Sequence, residues 1–561
     1  MVSRRDFLTL TAAAAAILGP GRAGRLAAQD RLTETELLAF KPVGNVTILH
    51  LTDLHAQLVP IWFREPSTNI GVGEVRGLPP HLTGKDFLAH FGIAPGTAQA
   101  HAFTDQDFVE LARRYGKVGG IDRIATLVKA IRAERDGRTL LLDGGDAMQG
   151  SWVTLQRKGA DMVAVLRALG VEAMTAHWEF TYGAERVKEI VEELGFPFLG
   201  GNVLDTEWEE PVFESTAFFE RGGVKIAVIG QAFPYTPVSN PRWMIPQWSF
   251  GIREERVAQH VENARAEGAE LVVLLSHNGF DVDRKLVSRV PGIDVVLTGH
   301  THDALPQALL VGKTLVVGSG SNGKFLARLD LDVRDGEVKD YAFKLIPVFA
   351  DAIRPDRETA KLIDELRAPF RAELDRVLGH TNSLLYRRGN FQGSWDDLIC
   401  EALLEQRDAE IALSPGFRWG PTLLPDQPIR MEDVWAQTAM TYPQVYRIEM
   451  TGAQLKEVLE DVADNIFNTD PYYQGGGDMV RVGGMGFTID VDQPIGRRIS
   501  EMTFLKTGQP IDPARRYVVA GWASVNEGVE GPPVWELVAR HIEARKVIDL
   551  PKAGRVVVKG G

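Results

Sequence analysis

The sequence predicts an α/β fold followed by a second, α+β region. Two observations carry this. From about Pro42 to Val348, apolar β-rich runs alternate with helix-periodic segments. That alternation is the signature of buried sheets covered by helices. After about residue 378 the order changes, with two helical segments and then three strand-like runs in succession.

In the first region the predicted strands are Val46–Leu51, Thr139–Leu142, Val224–Ile229, Leu271–Leu275, Val295–Leu297 and Thr314–Val317. Helical periodicity falls at Ile121–Arg135, Gly159–Leu169 and Gly183–Leu194. The first domain is therefore read as 42–348. It is interrupted at 58–119 by a Gly/Pro-punctuated, irregular insertion (PIWFREPSTNIGVGEVRGLPP), of a length that is usually functional or disordered. Its Trp62, Phe63 and Ile70 argue for order. A charged helical linker is expected at 355–378. The second domain, 379–561, has helices near Trp395–Gln406 and Gly452–Ile466. Its strands are expected at Gly486–Asp490, Ile499–Leu505 and Tyr517–Ala520.

Composition narrows the function. With 75 Asp+Glu against 62 Lys+Arg, the net charge of −13 disfavours non-specific nucleic-acid binding. The single cysteine, Cys400, permits no intrachain disulfide and lies in a helical run, so it is read as a buried apolar residue. The N-terminus has Arg4-Arg5-Asp6-Phe7-Leu8, an apolar stretch to Leu18 and small residues near Ala27-Ala28. This pattern predicts a cleaved twin-arginine signal over 1–29 and a periplasmic protein. The apolar stretch is too short to cross ~30 Å of hydrocarbon, so the mature chain is expected to have no membrane anchor.

Seven metal-ligand-type residues each follow an apolar run: Asp53 and His55 (LHLTDLHA), Asp146 (LLLDGGDAMQG), His177 (AMTAHWEF), His277 (VVLLSHNG), and His300 and His302 (VVLTGHTH). In open α/β sheets ligands gather beyond the strand carboxyl ends. In an extended segment, Asp53 and His55 would share one side of the chain, as would His300 and His302. Carboxylates with imidazoles and no thiolate suit a pair of first-row divalent cations.

In order, the motifs DLHA, GDAMQGS, SHNG and GHTH resemble those of the 5′-nucleotidase family of metallophosphoesterases. SPGFRWG and GGGDMVRVGGMGFTID resemble that family's second domain. The resemblance implies a metallophosphoesterase-type β-sandwich flanked by helices and an α+β C-terminal domain that binds substrate. It implies one cation on Asp53, His55 and His302, another on His177, His277 and His300, and Asp146 bridging them. Where the family reads Gly-Asn-His-Glu, this chain reads Ala176-His177-Trp178-Glu179, so Trp178 replaces a catalytic His. Asp478 and Met479 stand where nucleotidases carry Arg and a base-stacking Phe.

These departures, with the insertion and the signal, resemble the SoxB-type thiosulfohydrolases. That resemblance implies two Mn²⁺ ions, other divalent metals being possible. It also implies a SoxYZ carrier protein as partner, whose cysteine-bearing C-terminal arm would thread a channel beside Trp178 and the insertion. Arg418 is then expected to clamp a sulfonate. Trp178, Tyr472 and Tyr473 are expected to face the substrate, with Trp178, Arg418 and Tyr472 as candidate catalytic groups. Arg388 is a weaker anion-binding candidate. The alternatives are a periplasmic 5′-nucleotidase or phosphodiesterase, and a metal-bearing pseudoenzyme that only docks the carrier.

Overall fold

The computed structural model describes residues 32–550 and 555–560. The signal reading of 1–29 lies outside the described residues.

Two sheets and their flanking helices share one apolar core in the first region. The first sheet runs Glu337–Pro347, Phe325–Arg334, Val46–Leu51, Thr139–Asp143, Ala173–Met174. The second runs Leu309–Val311, Thr314–Gly318, Val295–Thr298, Leu271–Ser276, Val224–Gln231, Thr216–Arg221. Val46–Leu51 pairs in parallel with Thr139–Asp143, Ile48 opposite Leu140. Leu271–Ser276 pairs in parallel with Val295–Thr298, Val273 opposite Val295. These four strands are buried along their whole length. Strands covered on both faces read as continuous apolar runs, which is why they were visible in the sequence. Parallel pairing also puts the carboxyl ends of the two strands in each of these pairs on one side.

The hairpin Phe325–Arg334/Glu337–Pro347 was not predicted. Its first strand buries Arg328 and Asp330, which interrupt the apolar signal. They pair with each other at 3.1 Å, and Asp330 also accepts from Thr47 Oγ1 at 2.8 Å. Mutual pairing is what makes such burial tolerable.

The insertion is not irregular throughout. It forms helices Gly84–Phe91, Ala98–Phe103 and Phe108–Tyr115, too short for periodicity to declare them. It is pinned to the core by Lys324, whose Nζ meets Glu65 at 2.9 Å and donates to the Phe63 carbonyl at 3.2 Å, all buried. The expected linker helix is broken. Helix Arg357–Arg367 gives way to a tight turn at Ala368–Phe370, then Arg371–Leu374 and the strand Val377–Thr381. Pro369 lacks the N–H that would continue the helix.

Beyond it, one sheet runs Val445–Thr451, Arg516–Trp522, Ile411–Gly416, Asp478–Gly483. Another runs Gln509–Pro510, Ile499–Phe504, Met485–Asp490, Val556–Lys559. Helices Ser394–Gln406, Met431–Thr438, Gly452–Phe467 and Val534–Arg545 pack against them. Cys400 is fully buried in the first of these helices. No helix among the described residues is long and apolar enough to cross a membrane.

Candidate metal centre

The seven predicted ligands converge. Asp53, His55, Asp146 and His302 form one group and Asp146, His177, His277 and His300 another, with ligand atoms in each lying within 4.8 Å of one another. All seven are buried. Asp146 Oδ2 is the shared point, 3.1 Å from His277 Nε2, 3.3 Å from His177 Nδ1 and 3.9 Å from His55 Nε2. Asp53 Oδ1 lies 3.2 Å from His302 Nε2.

The backbone differs from the extended geometry expected. Asp53, His55, Asp146, His300 and His302 have φ of 51°, 45°, 57°, 71° and 59°. Such left-handed conformations cost about 1–3 kcal/mol each in non-glycine residues and persist where the surroundings enforce them. Here Asp53 N–H donates to Gly145 O and His55 N–H to Asp146 O, both at 2.8 Å. The His300 N–H donates to the Asp53 carboxylate at 3.1 Å. The chain turns sharply past each strand end, and the side chains fold in toward a common point.

The ring tautomers test whether cations fit. His277 Nδ1 faces the Gly144 carbonyl at 2.6 Å, His55 Nδ1 that of Gln149 at 3.2 Å, and His300 Nε2 that of Gly475 at 3.1 Å. A carbonyl only accepts, so each of these nitrogens carries a proton, and in the neutral ring the other nitrogen presents a lone pair. His177 Nε2 lies 2.8 Å from Ser239 Oγ, which itself donates to the Thr236 carbonyl, so His177 Nδ1 faces Asp146 bare. His55 and His302 direct Nε2 atoms at each other across 3.1 Å. Lone pairs and carboxylates therefore meet with too few donors among them, which is the arrangement that divalent cations satisfy, outer hydrogen bonds included.

The electrostatics agree. Burial pushes His55 down to about 4 and His300 and His302 well below their ordinary range, which keeps these imidazoles neutral. Burial lifts Asp53 to about 7. Burial also opposes charge on Asp146 and His277, but each offsets it for the other. His177 and His277 hold Asp146 well below the carboxylate range, while Asp146 and Asp53 drive His277 up to about 10. One proton on His277 thus balances charge that bound cations would balance instead.

Trp178 lies against this centre. Its backbone N–H donates to Asp146 Oδ1 at 2.8 Å, and its ring stands edge-on to Phe417 and Trp419 at 5.5 and 5.2 Å. With Phe233, Val462 and Val480 these rings line a largely apolar cavity of about 210 Å³ open to His55, Asp146, His177, His300 and His302. The insertion does not line it. Instead, Asn69, Ile70 and His81 border a smaller, more polar cavity of about 60 Å³ on which His300 also opens, together with Arg388 and Arg418. Arg418 borders both cavities. It donates to the His300 carbonyl at 3.3 Å and to that of Gly477 at 2.7 Å, with Asp478 at 3.8 Å. Asp478 also pairs with Arg481 at 3.0 Å, so the acid found in place of the family's Arg anchors guanidinium groups. Met479 is fully buried.

The two tyrosines do not face the ligands. Tyr472 gives its hydroxyl to Glu254 at 2.7 Å, and Tyr473 is 66% exposed. The glycines that follow make the approach instead: a Cβ on Gly476 would fall 2.5 Å from His300 Nε2. Glu179 went unassigned in the sequence. Fully buried, it accepts from the N–H groups of Ala147 at 2.8 Å, His177 at 2.9 Å, Met148 at 3.2 Å and Asp146 at 3.3 Å. An acid between Trp178 and Phe180 was the signal for it.

Residues 371–537 match the model of the 5′-nucleotidase C-terminal domain. The structure is similar to that of Thermus thermophilus sulfate thiohydrolase SoxB in complex with glycerol. The TM-score is 0.90 and the identity 36%, over 93% of this chain and 98% of that one. A 5′-nucleotidase precursor, also from Thermus thermophilus, shares the fold, with TM-score 0.72 and 21% identity over 92% of this chain and 99% of that one. The 5′-nucleotidase of Diplobatis ommata is 28% identical over 315 residues, 51% of this chain and about half (54%) of that protein. Fold and site together define a hydrolase of two-domain, 5′-nucleotidase type. Within that class the chain belongs to the SoxB sulfate thiohydrolase family.

Proposed function

We propose that this chain hydrolyses a cysteine S-thiosulfonate on a SoxYZ carrier in the periplasm, releasing sulfate. Water oxygen bonds to the terminal sulfonate sulfur, the S–S bond breaks, its electron pair leaves on the carrier's persulfide sulfur, and the water's two protons pass to solvent. The observation that supports this reading is the Trp178 indole, which lines the cavity onto which Asp146 and His177 open, at the sequence position where the resemblance puts a His in phosphatases of the family. An alkoxide leaving group benefits from a proton donor, and an indole N–H supplies none at neutral pH. A persulfide anion is far less basic and leaves without one.

Asp53, His55 and His302 would hold one cation, His177, His277 and His300 a second, and Asp146 both. Two Mn²⁺ ions fit these oxygen and imidazole donors, though other first-row divalent ions do too. When bound, such a pair supplies Lewis acidity and a deprotonated water at neutral pH. Arg418, on the rim of both cavities beside His300, is positioned to orient the sulfonate and offset its charge. Trp178, Phe417 and Trp419 exclude water around the departing sulfur and shape a channel for an extended arm.

The test is sulfate release from carrier-bound S-thiosulfonate with Mn²⁺ present, run beside AMP hydrolysis in the same preparation. Sulfate release far above AMP turnover is expected. Comparable turnover favours a nucleotidase, and no sulfate release from the metal-loaded protein favours a docking pseudoenzyme.

A further inference from the structure

The Tyr472 hydroxyl, expected to face substrate, is committed elsewhere. It donates to Glu254 Oε2 at 2.7 Å, and Arg289 Nε reaches the same oxygen at 2.6 Å. Lys285 Nζ stands 4.0 Å from the centre of the Tyr472 ring and pairs with Asp470 at 2.5 Å. Asp470 in turn accepts from the Tyr472 N–H at 2.9 Å, and the Tyr235 hydroxyl donates to the Tyr472 carbonyl. Glu254 begins helix Glu254–Ala266, and Lys285 lies in helix Phe280–Arg289, which starts three residues after His277. A loop of the second domain is thereby buttoned to two helices of the first.

Three residues beyond Tyr472, that loop reaches the candidate centre. The Gly475 carbonyl accepts from His300 Nε2 at 3.1 Å. This bond puts the ring proton on Nε2 and leaves Nδ1 with its lone pair. Gly476 then passes so close to the ring, at φ +69°, that a Cβ would strike it. Among the five histidines, His300 has its outer partner in the second domain, whereas those of His55, His177 and His277 lie in the first.

We infer that Tyr472 is a positioning residue for the metal centre, its clasp on Glu254 and Lys285 holding the loop whose Gly475 carbonyl fixes the tautomer and tilt of His300. Retention of the cation on the His177–His277–His300 side is therefore coupled to the contact between the two domains. This rests on the reading of His300 as a ligand.

The experiment measures Mn²⁺ affinity by calorimetry and the rate of Mn²⁺ loss to EDTA for the full chain, Tyr472→Phe, Glu254→Gln and the double variant. Each single change should weaken one of the two ions ~3–10-fold, below the ~10–100-fold typical of a direct outer partner. The double variant should be no worse than the poorer single. Unchanged affinity and loss rate in both single variants, with two ions bound by the wild type, overturns the inference. A wild type that binds no divalent cation overturns the metal reading itself. Thermal unfolding checks folding, and if Tyr472→Phe does not fold, Glu254→Gln and Lys285→Met carry the same test.

Discussion

The Trp178 N–H holds Asp146 Oδ1 at 2.8 Å, while Asp146 Oδ2 faces His277 at 3.1 Å. Backbone, not side chain, orients the shared carboxylate, so the residue at 178 can change without disturbing it. What the indole adds is a wall with Phe417 and Trp419.

Replacing Trp178 with His should therefore leave metal content intact and introduce a proton donor. Phosphate monoester hydrolysis should rise at least ~10-fold, a floor set below the ~10²–10⁴-fold that a fully positioned general acid contributes. The smaller ring also opens space in the aromatic wall, so melting temperature should fall and sulfate release should drop. AMP hydrolysis with Mn²⁺ is the measurement, and no gain at all would sink the leaving-group argument.

Asp146 is the residue common to both ligand groups. Asp146→Asn keeps an oxygen for the Trp178 N–H but offers neither charge nor a second acceptor. Bound Mn²⁺, measured by plasma mass spectrometry after gel filtration, should fall from two per chain to one or fewer, and sulfate release should be lost. Retention of two ions would remove the bridging role.

Glu179 gathers four backbone N–H groups from the turns that carry Asp146 and His177. Glu179→Gln turns one acceptor oxygen into a donor facing those N–H groups. Charge-assisted hydrogen bonds contribute roughly 1.5–3 kcal/mol each, so unfolding free energy in urea should fall by about 2–4 kcal/mol. Metal affinity should fall with it. A variant as stable as wild type would mean the turns hold themselves.

Much of this centre was legible because each ligand lies just past an apolar run, and strands buried on both faces announce themselves; Ala173–Met174, before His177, spans two residues and was not among the predicted strands. The strand Val46–Leu51 has the predicted bounds, and Leu271–Ser276 and Val295–Thr298 each gain only a residue. What stayed hidden was set by tertiary pairing. Arg328 and Asp330 sit buried in a strand because they bond each other, which no periodicity reports. The left-handed turns at Asp53 and His300 are enforced by contacts from distant segments. Tyr472 looked like a site residue because it precedes three glycines. The glycines make the approach because only they fit beside His300, while the tyrosine is drawn off by Glu254, 218 residues away in sequence.

The insertion carries a pH-dependent contact of its own. His81 Nε2 lies 2.7 Å from Asp281 Oδ2, tying the insertion to the helix that follows His277. Burial opposes a proton on His81, but Asp281 and then Asp303 outweigh both burial and the repulsion from Arg284, so its pKa is raised above the ordinary 6.5. A raised folded-state value means the protonated pair stabilises the folded chain fully below pH 6.5. That contribution is lost as pH climbs through the folded value. His81→Gln should accordingly lower the melting temperature most at pH 6 and least at pH 9, at constant ionic strength. Asp281→Asn should show the same trend, because it removes the partner rather than the proton. An equal loss at both pH values would mean that His81 holds the insertion by packing, its ring lying against Gly71, and not by charge.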